Sequence, residues 1–587
     1  MRRAFRPSAL RAVGLAALVA APFVVTAVAL RGRHWWPTGD LAQAEMRVRS
    51  LWSHPPLIGA AGRIGTIAER GSHPGPLAYW ALWPVYRLFG ATPWALETSV
   101  LTLHALGAAA TIAAARRVAG WVGMLGATLV VVGLIHGFGI ATLIEPWNPF
   151  LPLLWFAATT ALAWAVIAGD RQMWPALVAT ATFCVQCHVG YLAPVGALGV
   201  VALAFTVWPR RAGWWRPVTV AAGVGVVLWI PPIVDQAVHH PGNLHILLDY
   251  FRHPPEAAIG PVTGLADVLR LLNPLGGWLT SRAGLHTSVM PGLALLVVWA
   301  VAAALSWLRR ARHPELFALH VTVLAAVVST WLAVSRIFGQ LFAYLVMWVW
   351  VVTATMVAAT VATAIALVAE ARLPARAEQL RPALVGSGVV VVVVAVTTSS
   401  WSAAFVRPPY EPYSRQMATL VPPVVRQLDR SGRYQVTFDD PISLGGDAYG
   451  LILELERRGF TAGAPPIQRV AVEAHRVLRR SQATAVLAVV SGPRIATWKA
   501  KPGARLLVQV DPRSSAQRRR YARLRARAIV ELRAAGLARL VPQVDQSLWA
   551  IANDVHVPRS VIAAIGPMIA MGLPTAVLEL PADAAQG

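Results

Sequence analysis

Charge is what this chain has least of. Only 13% of its 587 residues are Asp, Glu, Lys or Arg, where soluble domains carry about a quarter. That scarcity argues against an ordinary soluble fold. With 56% hydrophobic residues and a mean hydropathy of +0.55, the apolar surface exceeds what a protein core buries, and a bilayer is the medium that takes it. Lysine is nearly missing too: the basic charge is arginine except for Lys499 and Lys501, a bias that points to a GC-rich genome more than to a function. Two cysteines, Cys184 and Cys187, cannot build a disulfide framework. Their segment "CVQCH" (184–188) has the form of a haem-attachment motif. It ends an apolar run and has no second ligand, so it is read as chance. A Walker loop, a Rossmann fingerprint after a strand and an H-E-x-x-H are lacking, as are internal repeats and low-complexity tracts.

What is present is a series of apolar runs long enough to cross about 30 Å of hydrocarbon. They fall at 11–30, 93–115, 118–137, 150–168, 173–189, 191–208, 217–233, 290–308, 315–335, 341–369 and 383–400, about eleven in all. The net charge of +25 invites a nucleic-acid reading, but its distribution speaks against one. Arg2, Arg3, Arg6 and Arg11 precede the first run; Arg116 and Arg117 follow the second, and Arg171 the fourth. Arg210, Arg211 and Arg216 follow the sixth, Arg309, Arg310 and Arg312 the eighth, and Arg372, Arg376 and Arg381 the tenth. Every even-numbered exit is basic, which sets the N-terminus in the cytoplasm of a plasma (inner) membrane protein. The apolar stretch of the first run exceeds a signal-peptide core of about 7–15 residues, so a retained helix is expected although "AVA" (27–29) resembles a cleavage site.

This orientation places two long loops outside, 31–92 and 234–289. The first ends in "PLAYWALWPVYRLFG" (76–90), too short and amphipathic to span, and expected to lie in the interface plane. After residue 400 the pattern changes. Strands are expected at 434–440, 484–490 and 505–510, alternating with helices at 446–459, 468–480 and 514–536. The run 561–580 is broken by Gly-Pro and Leu-Pro and reads as a helix and strand of this domain rather than a twelfth span. The division expected is therefore 1–400 for the membrane domain and 401–587 for an extracytoplasmic α/β domain.

Polar residues gather at the outer ends of the runs. "TGDLAQAE" (38–45) brings Asp40 and Glu45 just beyond the first. Asp40-x-x-Gln43 matches a capping box, and Glu45, five residues on, points away from Asp40 on a helix. The same loop holds His34, His54, Glu69, Arg70 and His73, a concentration of titratable groups suited to an anionic headgroup; His54 before Pro also fits a plain turn. "EPWNPFLP" (145–152) supplies Glu145 and Asn148, and "QCHVGY" (186–191) supplies Gln186, His188 and Tyr191. "PPIVDQAVHHPGNL" (231–244) follows the seventh run. Arg336 is the charge of "SRIFGQ" (335–340). It either clamps a phosphate in bidentate fashion or snorkels to the headgroups.

A first span followed by "GD…E" and a loop ending in "HPGPLAYWALWPVYRLFG" (73–90) resembles the GT-C polytopic glycosyltransferases, most closely a bacterial branch related to the lipid A aminoarabinose and protein mannosyltransferase type. "PWNP" (146–149), "QCHVGY", "WIPPIVDQ" (229–236) and "PGNL" (241–244) look like further landmarks, over about residues 10–345. The resemblance implies a GT-C-like α-helical polytopic membrane protein. It implies a polyprenyl-phosphate sugar donor, an extracytoplasmic cell-envelope glycan, lipid or protein as acceptor, membrane lipid as surroundings and no nucleic acid. Asp40 matches the usual catalytic base of such enzymes. Glu45, His54, His73, Asn148, Gln186, His188, Tyr191 and Arg336 are the expected substrate-binding residues. A single carboxylate stands where protein mannosyltransferases have an adjacent Asp-Glu pair, which leaves the need for a divalent metal open; no cofactor is called for with certainty. Two other classes remain: a transporter or flippase of a lipid-linked intermediate, and a non-catalytic scaffold whose Arg-rich helix at 514–536 binds anionic wall polymer.

Overall fold

The computed structural model describes residues 7–65, 70–208, 213–280, 285, 287–370, 374–552, 554 and 556–583. Arg2, Arg3, Arg6, Glu69, Arg210, Arg211 and Arg372, named above, lie outside the described residues. By its contacts the chain divides into two compact units. Unit 1 comprises Met1–Arg33, Pro56–Gly59 and Ser72–Arg407; unit 2 comprises His34–Pro55, Ala60–Gly71 and Pro408–Gly587. The first outer loop, expected as one segment, is thus shared between the two.

Unit 1 is helical. Its longer helices are α1 (Pro7–Leu30), α3 (Leu77–Leu88), α4 (Pro93–Phe138), α5 (Leu153–Ile167), α6 (Trp174–Cys187), α7 (Leu192–Val207), α8 (Trp215–Val238), α9 (Asn243–Arg252), α10 (Pro261–Leu271), α11 (Met290–Leu308), α12 (Pro314–Ser335), α13 (Val349–Glu370) and α14 (Pro374–Ala404); α2 (Gly39–Arg49) belongs to unit 2. All eleven expected runs lie on these helices. Two of them share α4, which breaks at Ala119 and Gly120, where Gly120 takes φ +58°, a left-handed conformation that glycine adopts without steric cost. Among the described residues, eight helices are long and apolar enough to cross a membrane; α4 is one of the eight, and α5 and α6 are shorter. The chain is an integral membrane protein. One continuous core runs from Val19 and Phe23 of α1 through Leu134 and Phe156 to Trp350 and Met356. The segment 76–90 is the short helix α3, with Ala78, Tyr79, Leu82 and Tyr86 on its buried side.

Unit 2 has a five-stranded sheet in the order β4-β3-β5-β7-β6. Its strands are β3 (Arg433–Asp439), β4 (Thr461–Gly463), β5 (Ala485–Ser491), β6 (Arg505–Val510) and β7 (Thr575–Pro581); a separate two-stranded ribbon pairs β1 (Ala61–Gly65) with β2 (Arg70–Ser72). β3 pairs in parallel with both β4 and β5, while β7 runs antiparallel to β5 and β6. The buried run "AVLAVVS" of β5 is what a central strand covered on both faces requires. α15 (Glu411–Gln427), α16 (Gly446–Arg457), α17 (Ser515–Ala534) and α18 (Arg559–Met571) complete the unit. Residues 561–580 are therefore most of α18 followed by β7; Leu573-Pro574 falls at the break between them, whereas Gly566-Pro567 lies inside the helix.

The helix expected at 468–480 is not there. The chain makes only short turns at Arg469–Val472, Ala474–Arg476 and Arg480–Gln482. Glu473 takes φ +70°, which ends any helix, and Arg476 is drawn inward to Glu456, Glu473 and the Met46 carbonyl. Helical composition yields here to a buried guanidinium that has to be satisfied.

Candidate functional site

In unit 2, α2 carries Asp40 and Glu45. Thr38 occupies the N-cap position, so the expected capping box is not formed. Asp40 stands in the first turn, exposed, and its Oδ1 accepts from Gln43 Nε2 at 3.4 Å. A carboxylate in a first turn sits at the positive end of the helix dipole. Glu45 has another environment. It is fully buried and paired with Arg457 of α16, which also holds Glu454. The inward face of α2 is Ala42 and Met46, packed with Met417, Leu451 and Leu455. Asp40 and Glu45 thus point to different surroundings, as their five-residue spacing predicts. His54 is exposed and stacks on His475, ring centroids 3.8 Å apart and 8° from parallel. Burial, with Arg476 and His54 adding to it, brings the His475 ring down to about 3, so that ring is neutral.

In unit 1 the remaining candidates come together, all but one. The turn 186–191 is the hub. Gln186 accepts the Gly75 N–H on its carbonyl at 3.3 Å and donates Nε2 to the Leu228 carbonyl at 2.8 Å. A side chain at Gly75 would collide with Gln186, so glycine is required for this approach. Asn148 Nδ2 donates to the Cys187 carbonyl at 3.2 Å. His73 Nδ1 accepts the Val189 N–H at 3.3 Å, and His188 Nδ1 accepts the Gly190 N–H at 3.2 Å. Both imidazoles therefore carry their proton on Nε2. The rings lie 4.5 Å apart, centroid to centroid. Burial, with His188 adding to it, holds His73 well below the usual histidine range. Tyr191 packs among His188, Phe156 and Trp348, and its hydroxyl has no hydrogen-bond partner among the described residues.

Two residues outside the expected set hold this hub in place. Asn243, at the start of α9, accepts the Ser72 N–H at 2.8 Å and donates back to the Ser72 carbonyl at 3.1 Å and the His73 carbonyl at 3.4 Å. Its own N–H goes to Asp235 Oδ2 at 2.9 Å, and Asp235 Oδ1 meets His239 Nδ1 at 2.9 Å. Four segments, at 72–76, 148, 186–191 and 235–243, are thus laced into one network. A carboxylate ending an apolar run was the signal for Asp235; "PGNL" was a landmark of the resemblance, which gave Asn243 no role. Glu145 stands beside the network in sequence. Its Oε2 has no hydrogen-bond partner among the described residues, and burial pushes its carboxyl up to about 8, so it is protonated at neutral pH.

Arg336 is the exception. It is exposed on the turn after α12, over the Phe338 ring at 5.6 Å and donating to the Phe251 carbonyl at 3.4 Å. Among the described residues, no group of three or more His, Cys, Asp or Glu side chains is arranged to hold a metal ion.

No family model matches this chain, and no curated protein matches it. Solved structures do. ArnT from Cupriavidus metallidurans bound to undecaprenyl phosphate aligns at 17% identity and a TM-score of 0.52, covering 84% of this chain and 95% of that one. The same protein in its apo state gives 17% and 0.53 with the same coverage. An Archaeoglobus fulgidus oligosaccharyltransferase complex with Zn and sulfate aligns at 9% identity and a TM-score of 0.42, over 96% of this chain and 88% of that one. The likeness to ArnT establishes the fold: this is a GT-C-like membrane architecture with a sheet-containing C-terminal unit.

Proposed function

We propose that this protein is an integral membrane glycosyltransferase that moves a sugar from a polyprenyl-phosphate donor to an extracytoplasmic cell-envelope acceptor. The observation that carries the proposal is the shared fold with ArnT, a protein solved with undecaprenyl phosphate bound, in a chain whose first outer loop presents an exposed carboxylate, Asp40.

In this reading Asp40 is the general base. It takes the proton of the acceptor hydroxyl as that oxygen attacks the anomeric carbon. The bond from that carbon to the lipid phosphate oxygen breaks, and the phosphate leaves with the electron pair and negative charge. General-base help of this kind contributes about 10²–10⁴-fold. The Nε2–H groups of His73 and His188 are directed donors for a phosphate oxygen, because their Nδ1 atoms are already committed to the 189–190 turn. Neutral donors fixed in advance stabilise a developing oxyanion without reorganising. Arg336, exposed and cationic, is suited to a headgroup phosphate. Gln186, Asn148 and Tyr191 belong to the same network in unit 1; within unit 2, Glu45 fixes α2 through Arg457 and His54 is an exposed ring. The N-terminus is cytoplasmic and unit 2 extracytoplasmic, in accord with the arginine pattern.

Mass spectrometry of envelope glycans from cells with and without the protein tests this. One sugar substituent is expected to disappear with the gene, to return with the wild-type chain, and not to return with Asp40→Asn at equal membrane abundance. Unchanged glycans in the deletion would overturn the proposal.

A further inference from the structure

Unit 2 holds a cavity of about 320 Å³ lined by Pro493, Tyr521, Arg525, Val544, Asp545 and Leu573. Its place follows from the topology. Pro493 comes two residues after β5, and Leu573 two residues before β7, which runs antiparallel to β5. The cavity therefore lies at the carboxyl edge of the parallel strands. There the chain, having gone from β3 through α16 to β4 on one side, returns to set β5 on the other. In open α/β sheets ligands bind outside that edge. The volume is that of about ten waters at ~30 Å³ each, at the small end of ligand pockets, which start near 300 Å³.

The lining is mixed in a particular way. Tyr521 and Arg525 are four residues apart on α17 and so share a face. Arg525 donates Nε to Asp545 Oδ1 at 2.9 Å and a second N–H to Oδ2, a bidentate pair with 41% and 39% of the two side chains exposed. Both partners thus keep unused hydrogen-bonding capacity within reach of a ligand. Tyr521 is only 7% exposed, and burial pushes the phenol up to about 12, so it keeps its proton. Arg513 covers the ring at 5.1 Å and is itself tied to Asp511. The phenol thus brings a hydroxyl that can both donate and accept to the same lining as the ion pair. Pro493, Val544 and Leu573 supply the apolar side.

We infer that this cavity binds one uncharged sugar residue. Apolar side chains meet the C–H face of a pyranose or furanose ring, while its hydroxyls accept from Arg525, donate to Asp545 and exchange with the Tyr521 hydroxyl. Charge decides against the alternatives. Arg525 and Asp545 cancel, so an anion has to displace Asp545 from Arg525, and a cation has to displace Arg525 from Asp545. The seven arginines of α17 that suggested an anionic polymer do not change this, since the one facing the cavity, Arg525, is already neutralised. The inference concerns unit 2 alone and does not depend on the catalytic assignment of Asp40.

The test uses the full chain in phosphatidylcholine nanodiscs, free of glycoside detergents, with saturation-transfer NMR. The probes are methyl α-mannopyranoside, methyl α-glucopyranoside and methyl α-arabinofuranoside, with glucuronate and glucosamine as charged counterparts. At least one neutral glycoside is expected to bind, and more tightly than either charged sugar. Tyr521→Phe, which removes one hydroxyl and little else, should weaken it about 2- to 10-fold, the usual range for one neutral hydrogen bond. Leu573→Trp, which fills the cavity, should abolish it while circular dichroism shows the fold retained. A linked tetrasaccharide of the same sugar tells the source: binding as tight as the monosaccharide marks the end of a glycan chain, exclusion marks a free sugar. The inference is overturned if no neutral glycoside binds, if a charged sugar binds better, or if Tyr521→Phe leaves binding unchanged. Any of these would leave the donor-lipid reading of unit 1 untouched, since it is read on a different ligand.

Discussion

Replacing Asn243 by alanine should loosen the network around Ser72 and His73 more than any other single truncation in it. Ser72 is fully buried and Asn243 is 4% exposed. The Asn243 carboxamide serves Ser72 in both directions, at 2.8 Å for the N–H and 3.1 Å for the carbonyl. Alanine leaves both backbone groups without a partner in a dry setting, and each such loss costs about 1–3 kcal/mol. With some relaxation the sum is about 2–4 kcal/mol of local stability. At 1.36 kcal/mol per decade, amide exchange at Ser72 should accelerate roughly 30- to 900-fold where exchange proceeds by local opening. Hydrogen–deuterium exchange with mass spectrometry of peptides covering 70–76, in nanodiscs, reads this directly. Peptides from α13 should be unaffected. Unchanged protection across 70–76 in Asn243→Ala would refute the claim that Asn243 holds His73 in place.

Gly75→Ala should cost about 1–3 kcal/mol, the usual range for overpacking, because its methyl meets the Gln186 side chain; a lower melting temperature with faster exchange at 186–191 is the expected result. Glu45→Ala should destabilise unit 2 by about 3 kcal/mol, the lower part of the range for breaking a buried pair, since Glu454 still faces Arg457; an unchanged melt would argue that Glu45 is not structural. Arg336→Ala should leave the melt within about 0.5 kcal/mol, as exposed substitutions do, while weakening binding of a polyprenyl phosphate. Burial, with Asp440 adding to it, pushes the Asp447 carboxyl up to about 8, so the folded state holds that proton more tightly than the unfolded chain. Stability is then fully present below about pH 4 and falls as pH rises toward 8; melting followed from pH 5 to 8.5 should show this slope, and Asp447→Asn should flatten it.

The sequence made the membrane part legible because long apolar runs have few alternatives to spanning helices, and all eleven runs lie on helices. The strands β3, β5 and β6 were legible for a similar reason, being short apolar runs bounded by turn residues. What was hidden depended on contacts distant in sequence. The helical composition of 468–480 gives no hint that Arg476 is held by Glu456 and the Met46 carbonyl. Likewise "GDLAQAEMRVR" shows only weak amphipathicity, and its packing against α16 appears only once Met417 and Leu451 supply the other half of that core. In the site, the residue types that stood out at the outer ends, His73, Gln186 and His188, do converge. Asn243 stayed hidden because an asparagine after Pro-Gly looks like any turn. The five-residue spacing already set Asp40 and Glu45 apart; what the sequence did not show is that Glu45 is buried against Arg457.

The most direct test of the central claim is a transfer assay with purified protein in sealed vesicles containing radiolabelled polyprenyl-phosphate sugars and an envelope extract as acceptor. The account predicts that the wild-type chain moves label from lipid to acceptor, and that Asp40→Asn binds the same lipid yet moves no label. Label that changes leaflet without leaving its lipid, or full transfer by Asp40→Asn, would contradict it.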